Sequence, residues 1–539
     1  MIIGFTSAKE QESTLLSTNS YKYEVAKKVY DQLIDAKGDK RLKVPTFVMQ
    51  SKERYVAWMN GKKAQIGLEE KAYDVCVSYG ADSLNAMAAL LGHEIIHYYE
   101  KHNWGSEFAS AYTNMELSKD VKSNTSSHTA KSVHETEADY LGGFLAHSAG
   151  FNTFGIMPKF LDAVYDAYGL THEIPGYPSL ENRAKLAVEA EGRMEELVNI
   201  YQTANHLVVL EQFEDAEVYF GYILKDFQSR EIYNNAGVNA VMAALSLIPA
   251  KGFPESKYKK YAYPLQLDGQ TRLEVNSRGG DLAFGNAQQK IVTELLNKAV
   301  NYFEQAKALD KKYETAYLNL ACAYDIMGEH EDAQYWAKKA ERLAKKGKNK
   351  KTRGDAKILR AIASFHLEEA EEGVELLTDV KNDFPLSANL AELNLYINTN
   401  NARPEVEAEK QKMSLKSERI EGFNLDDFAE DLDVDGQVEV NKSIVYAFKK
   451  LDQSKVSVHL VNSGERFVIC QITNSNFGGT TGLGLSVGTS KDAFLKKYGP
   501  ATYIQETRKG QYLVYKNKKA IFYIKDGKLA SWTVYRTNS

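Results

Sequence analysis

Cysteine is scarce: Cys76, Cys322 and Cys470 are the only three among 539 residues, far apart and odd in number. That excludes a disulfide framework and a zinc knuckle, both of which need cysteines at close, paired spacings. Each sits in an apolar context and reads as a small buried hydrophobe. Prolines are few as well, ten against 33 tyrosines, and 43% of residues are hydrophobic. Such a composition excludes wholesale disorder and collagen-like structure and fits packed domains. An excess of one charge is also missing, since 67 Lys and Arg stand against 72 Asp and Glu for a net charge of −5. Without a basic field there is no counterion release to draw in nucleic acid, so none is expected as a partner. Apolar runs such as Ala86–Leu91 fall far short of the ~20 residues that span a bilayer, and no transmembrane segment is expected.

At roughly 100–200 residues per domain, this length holds three or four units. The pattern predicts a multidomain, mainly α chain. Residues 1–18 are a tail, and Met1–Ala8 reads either as the end of an export signal cleaved near Ala8 or as a plain polar tail. Residues 19–194 form a first domain. Within it, Val25, Val29 and Leu33 lie one turn apart on a helix stopped by Gly38. Val44–Val48 and Ala72–Val77 are β-branched or aromatic and read as strands. Helices are expected over 83–102, 133–150, 157–167 and 180–204, with a polar loop at 118–133.

From 195 to 400 the chain repeats itself. Ala299, Phe303 and Ala306 recur 34 residues later as Ala333, Ala337 and Ala340. A 34-residue helix–turn–helix period is that of tetratricopeptide repeats, which stack into an α-solenoid. About four units are expected, broken by an insertion near 252–286. Residues 401–440 read as an acidic linker. Residues 441–539 alternate apolar and polar positions over 456–461, 466–472, 511–515, 519–524 and 530–535, which predicts a small C-terminal α+β domain with one helix at 490–498.

The chemistry lies in His93-Glu94-Ile95-Ile96-His97. Positions i and i+4 share one helical face, so both imidazoles can reach one metal ion. Glu94, one step round the helix, can take a proton from water. A catalytic zinc wants three protein ligands and one open position. Glu135 and Asp139, at the start of the next long helix, are again one turn apart: Glu135 as third ligand, Asp139 as acceptor of a hydrogen bond from a ligand imidazole. His134 is the competing ligand beside it. Elsewhere, Asp431, Asp433, Asp435 and Gly436 mimic half of a calcium loop, but Lys442 stands where the bidentate Glu belongs, so an acidic turn is expected. Gly478–Gly482 lacks the lysine of a phosphate loop, and Gly488 to Pro500 reads as turn–helix–turn.

HExxH followed by Glu135-Thr-Glu-Ala-Asp139-Tyr-Leu-Gly-Gly, with His102 five residues past His97 and Tyr177-Pro178 to Arg183 beyond, resembles the HtpX, CAAX prenyl protease and BepA-type zinc metallopeptidases, which are gluzincins. The resemblance spans roughly residues 40–190. It implies a gluzincin-type α+β metallopeptidase domain with one Zn2+ per chain, ligated by His93, His97 and Glu135, with Glu94 as catalytic base. Tyr177 stands where that family has a histidine near the zinc. Its hydroxyl could support an oxyanion, with His172 as the substitute and Arg183 positioning the loop. Tyr55-Val56-Ala57-Trp58 departs from the family's edge strand. A soluble peptidase unit followed by repeats is similar to BepA-type envelope proteases. That likeness implies an exported, periplasmic location with possible envelope association, a cytoplasmic one being the alternative. The expected activity is endopeptidase cleavage of unfolded or misassembled polypeptide, with the repeats binding a protein partner. The rival is a tetratricopeptide scaffold or chaperone-like protein whose peptidase domain is latent or regulatory.

Overall fold

The computed structural model describes residues 15–101 (52 and 54 excepted), 128–169, 180–248, 263–267, 286–383, 418–425 (424 excepted), 434–506 (443 and 465 excepted), 510–525 and 527–537. The chain is multidomain and mostly helical, with a separate sheet domain, and divides into two compact units at residue 199. No described helix is long and apolar enough to cross a membrane.

The first unit opens with α1 (Tyr21–Lys37). Ser20 caps it, its Oγ accepting from the Tyr23 amide at 3.2 Å, and Gly38 ends it in the left-handed conformation at φ 60°. Three short strands follow, β1 (Thr46–Gln50), β2 (Ala57–Asn60) and β3 (Gln65–Glu69), in the order β1-β3-β2. β3 runs parallel to β1 and antiparallel to β2. The second edge of β2 carries no strand among the described residues.

Residues 72–77 are not a strand but lie within α2 (Glu70–Val77). Tyr73, Val75 and Val77 favour a strand locally, yet the buried residues Ala72, Tyr73 and Cys76 follow helical spacing, while Val77 is exposed. Tertiary burial decides over local propensity. Next come α3 (Ser83–Tyr99), α4 (His128–Ser148), α5 (Met157–Tyr168) and α6 (Leu180–Val209). Every residue of α3 from Ala86 to Tyr99 is buried, the mark of a helix enclosed on all sides. It packs against α1, β2 and, most extensively, α4.

The second unit contains the end of α6 and then α7 (Phe213–Asp226), α8 (Arg230–Leu247), α9 (Asn286–Leu309), α10 (Glu314–Met327), α11 (His330–Lys346), α12 (Lys350–His366) and α13 (Ala370–Asp383). Apart from the insertion after α8, their short connections force neighbours to pack antiparallel. Ala299, Phe303, Ala306, Ala333, Ala337 and Ala340, the positions repeating at 34, are all fully buried. Small side chains let these helices approach closely. At Gly237 the missing Cβ makes room for the Phe303 ring. Part of the insertion is packed as well. Tyr263–Leu267 is buried, with the Gln266 carbonyl accepting from Asn234 and Asn319 side-chain amides at 2.7 Å each. The Gln266 amide donates to Asn319 Oδ1, also at 2.7 Å.

Among the described residues, the sheet domain has eight antiparallel strands: β4 (Gly436–Asn441), β5 (Ile444–Leu451), β6 (Val456–Ser463), β7 (Arg466–Thr473), β8 (Tyr503–Glu506), β9 (Gly510–Tyr515), β10 (Ala520–Lys525) and β11 (Lys528–Thr537). Their order is β4-β5-β6-β7-β11-β10-β9-β8. One face packs on α14 (Lys491–Tyr498) through Phe494, Tyr498, Leu513, Phe522 and Trp532. Ser490 caps this helix and Gly499 ends it, the expected turn–helix–turn. The other face meets α7. Tyr446 lies edge-on to Tyr219 at 5.9 Å, and the Ser463 hydroxyl donates to Asp215 Oδ1 at 2.9 Å.

The domain starts earlier than residue 441. β4 begins at Gly436, and Ile420 and Leu425, inside the stretch read as linker, belong to its core. Buried Glu418 accepts from the Tyr498 hydroxyl at 2.6 Å and from the Gly482 amide, while Glu421 accepts from the Thr480 amide at 2.7 Å. The glycine-rich loop 478–482 is therefore filled by the chain's own carboxylates. Of the acidic turn, Asp431 and Asp433 lie outside the described residues. Asp435 accepts from the Lys450 amide at 2.6 Å, a role within the β4–β5 hairpin.

Candidate metal centre

α3 carries His93 and His97 one turn apart, with ring centroids 4.6 Å apart and Nε2 atoms separated by 2.9 Å. What brings the third group to them is a pair of glycines. A Cβ on Gly142 of α4 would lie 2.7 Å from the His93 amide nitrogen, and one on Gly92 would lie 2.6 Å from the Gly142 carbonyl oxygen. The two helix backbones touch at this crossing, closer than any side chain permits. Two turns before Gly142, Glu135 reaches over the imidazoles. Its Oε2 is 3.6 Å from His93 Nε2 and its Oε1 is 3.6 Å from His97 Nε2.

Asp139, one turn beyond Glu135, stands behind the first histidine. Its Oδ1 lies 2.6 Å from His93 Nδ1. Donation from Nδ1 to this carboxylate holds the ring so that Nε2 faces the other donors. His93, Glu94, His97 and Asp139 are all buried. Burial by itself would depress the His93 pKa. The charges and hydrogen bonds of Asp139 and Glu135 outweigh it and raise the value to about 10. This group of side chains is thus strongly electronegative, an environment that favours a cation.

The donor set also fits in size. Around a tetrahedral zinc with bonds of about 2.0–2.1 Å, ligand atoms sit about 3.3 Å apart. The separations of 2.9, 3.6 and 3.6 Å bracket that figure. Two imidazoles and one carboxylate are donors that zinc and similar divalent ions accept.

The structure thus brings together His93, His97, Glu135 and Asp139, with Glu94 beside them on α3. His134 is not part of the group of converging donors. Tyr177 and His172 lie outside the described residues. Arg183 sits in the first turn of α6, its side chain likewise outside them. Sequence reasoning missed the role of Gly92 and Gly142. Their signal was present, as a glycine before His93 and a Gly-Gly pair after Asp139. Compared with known proteins, the chain matches no family model and no curated sequence.

Proposed function

We propose that the chain is a zinc-dependent endopeptidase acting on extended or unfolded polypeptide. The observation that carries this reading is the convergence of His93, His97 and Glu135 with a carboxylate, Glu94, next in sequence to the first of them. Zinc held by these three side chains would supply Lewis acidity toward a scissile carbonyl and would lower the pKa of a water. Glu94 would take the proton from the attacking water and hand it to the leaving amine. Asp139 would keep the His93 ring oriented and its Nδ1 protonated. Tyr177 would donate its hydroxyl to the developing oxyanion.

For substrate, the edge of β2 away from β3 carries no strand among the described residues, and α3 packs on β2. A polypeptide added there as a fourth strand would be held through its main chain, which is tolerant of sequence. The helices after residue 200, with their 34-residue recurrence, would act as tetratricopeptide-like repeats that bind a protein partner.

The test is Glu94→Gln in the full chain. Bound zinc should stay stoichiometric while cleavage of casein falls by about a hundredfold to ten-thousandfold. Undiminished cleavage would remove Glu94 from the mechanism. If the wild-type chain bound zinc stoichiometrically yet cut no unfolded protein, the scaffold reading would take its place.

A further inference from the structure

A second histidine–carboxylate cluster lies in the helical part of the second unit. α10 ends at Met327, α11 begins at His330 and α12 ends at His366. Antiparallel packing therefore places two helix C-termini and one N-terminus together. Asp325, in the last turn of α10, has a fully buried side chain. Its Oδ1 lies 2.8 Å from His330 Nδ1 and 3.2 Å from His366 Nδ1. Its Oδ2 lies 3.1 Å from His366 Nδ1 and accepts from the Tyr263 hydroxyl at 2.8 Å. The two imidazole centroids are 4.6 Å apart, the same separation as between His93 and His97.

Three features set this cluster apart from an ordinary buried ion pair. Among the described residues Asp325 is met by two imidazoles and a phenol, and by no lysine or arginine. A buried carboxylate without a fixed cation needs positive charge from elsewhere. The last turns of α10 and α12 add the negative ends of two helix dipoles to the same spot, against one positive end from α11. His366 Nδ1 also lies evenly between both carboxylate oxygens, where one N–H donating a directed hydrogen bond would choose between them.

We propose that Asp325, His330 and His366 form a second site for a divalent ion of the zinc class. Its role is structural, tying the ends of α10, α11 and α12 to the Tyr263–Leu267 segment. Two imidazoles and a carboxylate suit zinc, cobalt and nickel better than calcium or magnesium. Tyr263 orients the carboxylate from behind, as Asp139 orients His93 in the first cluster. This assignment is independent of the peptidase reading, because none of its residues belongs to the first unit.

Cobalt(II) is the probe, since its visible absorption reports an imidazole-containing, low-coordinate site. The full chain, stripped with chelator, is titrated as wild type, as His93→Ala/His97→Ala, and as that variant carrying His366→Gln. Two equivalents, one and none are expected. In the His93→Ala/His97→Ala chain, cobalt should also raise the melting temperature by several degrees, because an ion bound only by the folded state stabilises it. That shift keeps the test decisive if His366→Gln does not fold. A His93→Ala/His97→Ala chain that takes up no cobalt and melts at an unchanged temperature would show that the cluster is a hydrogen-bonded knot, and the assignment would fall.

Discussion

The two histidine–carboxylate clusters are built from the same donor types by different routes. In the first, two donors sit four residues apart on α3 and the third comes 38 residues after His97, on the next described helix. In the second, the donors come from three helices, and His330 and His366 are 36 residues apart. The pitch of an α-helix alone guarantees that positions i and i+4 share a face, so the first pair needs no tertiary information. The second cluster exists only once the hairpins have packed. Their surroundings differ in kind too. Around His93 and His97, one carboxylate faces the imidazole lone pairs, another stands behind a ring, and Glu94 is a third. His330 and His366 share the Asp325 carboxylate, with the Tyr263 phenol behind it. On the proposed readings, the first arrangement has an acid–base group to spare for chemistry, and the second has groups only to hold.

This contrast can be broken most sharply at the support residue. Asp139→Asn keeps the shape but removes the charge behind His93. Zinc affinity at the first site should fall about 10- to 100-fold, read by competition with a chromophoric chelator. Unchanged affinity would mean that Asp139 does not orient a ligand. A somewhat smaller effect is expected at the helix crossing. Gly142→Ala puts a methyl group 2.7 Å from the His93 amide nitrogen and 2.9 Å from its Cα, so α3 and α4 must separate. Overpacking of this kind costs about 1–3 kcal/mol, and it should loosen zinc binding along with stability. Gly192→Ala in α6, where a Cβ would meet nothing within 4 Å, is the control, expected to stabilise by up to about 1 kcal/mol. Equal urea midpoints for the two variants would refute the role of the crossing.

The parts legible in the sequence were those fixed by local geometry. Gly38 and Ser490 mark helix ends because capping is a short-range matter of a few atoms. The pairing of Glu135 with Asp139 could be read for the same reason as the histidines. What failed depended on partners distant in the chain. Residues 72–77 look like a strand until Ala72, Tyr73 and Cys76 are seen to be buried together. Ile420 and Leu425 look like linker because their neighbours are charged, yet they complete the core around Trp532. Gly142 carries no periodicity of its own, and its meaning lies in the backbone it touches. Tyr263–Leu267 stayed hidden in an insertion, since the asparagines that grip its backbone sit at 234 and 319.

A buried imidazole outside both clusters sharpens the comparison from the opposite side. Burial drives any imidazole toward its neutral form, and at His93 two carboxylates reverse that tendency. His459 in β6 has no such neighbour among its hydrogen-bond partners. The Tyr446 hydroxyl lies 2.7 Å from its Nδ1 and the Ser457 hydroxyl 2.7 Å from its Nε2. Burial, helped by the charge of His206, pushes its pKa down to about 3. In the unfolded chain the same group titrates near 6.5. Between those values the unfolded state binds a proton that the folded state refuses, so stability is full above about pH 6.5 and falls as the pH is lowered toward 3. The loss is about 1.4 kcal/mol per pH unit, or about 2 kcal/mol between pH 6.5 and 5. Urea unfolding of the full chain at pH 7 and pH 5 measures it against His459→Gln, which cannot take up the proton in either state. Wild type should lose about 2 kcal/mol more than the variant over that interval, and parallel losses would mean that β6 holds its histidine no more tightly neutral than water does.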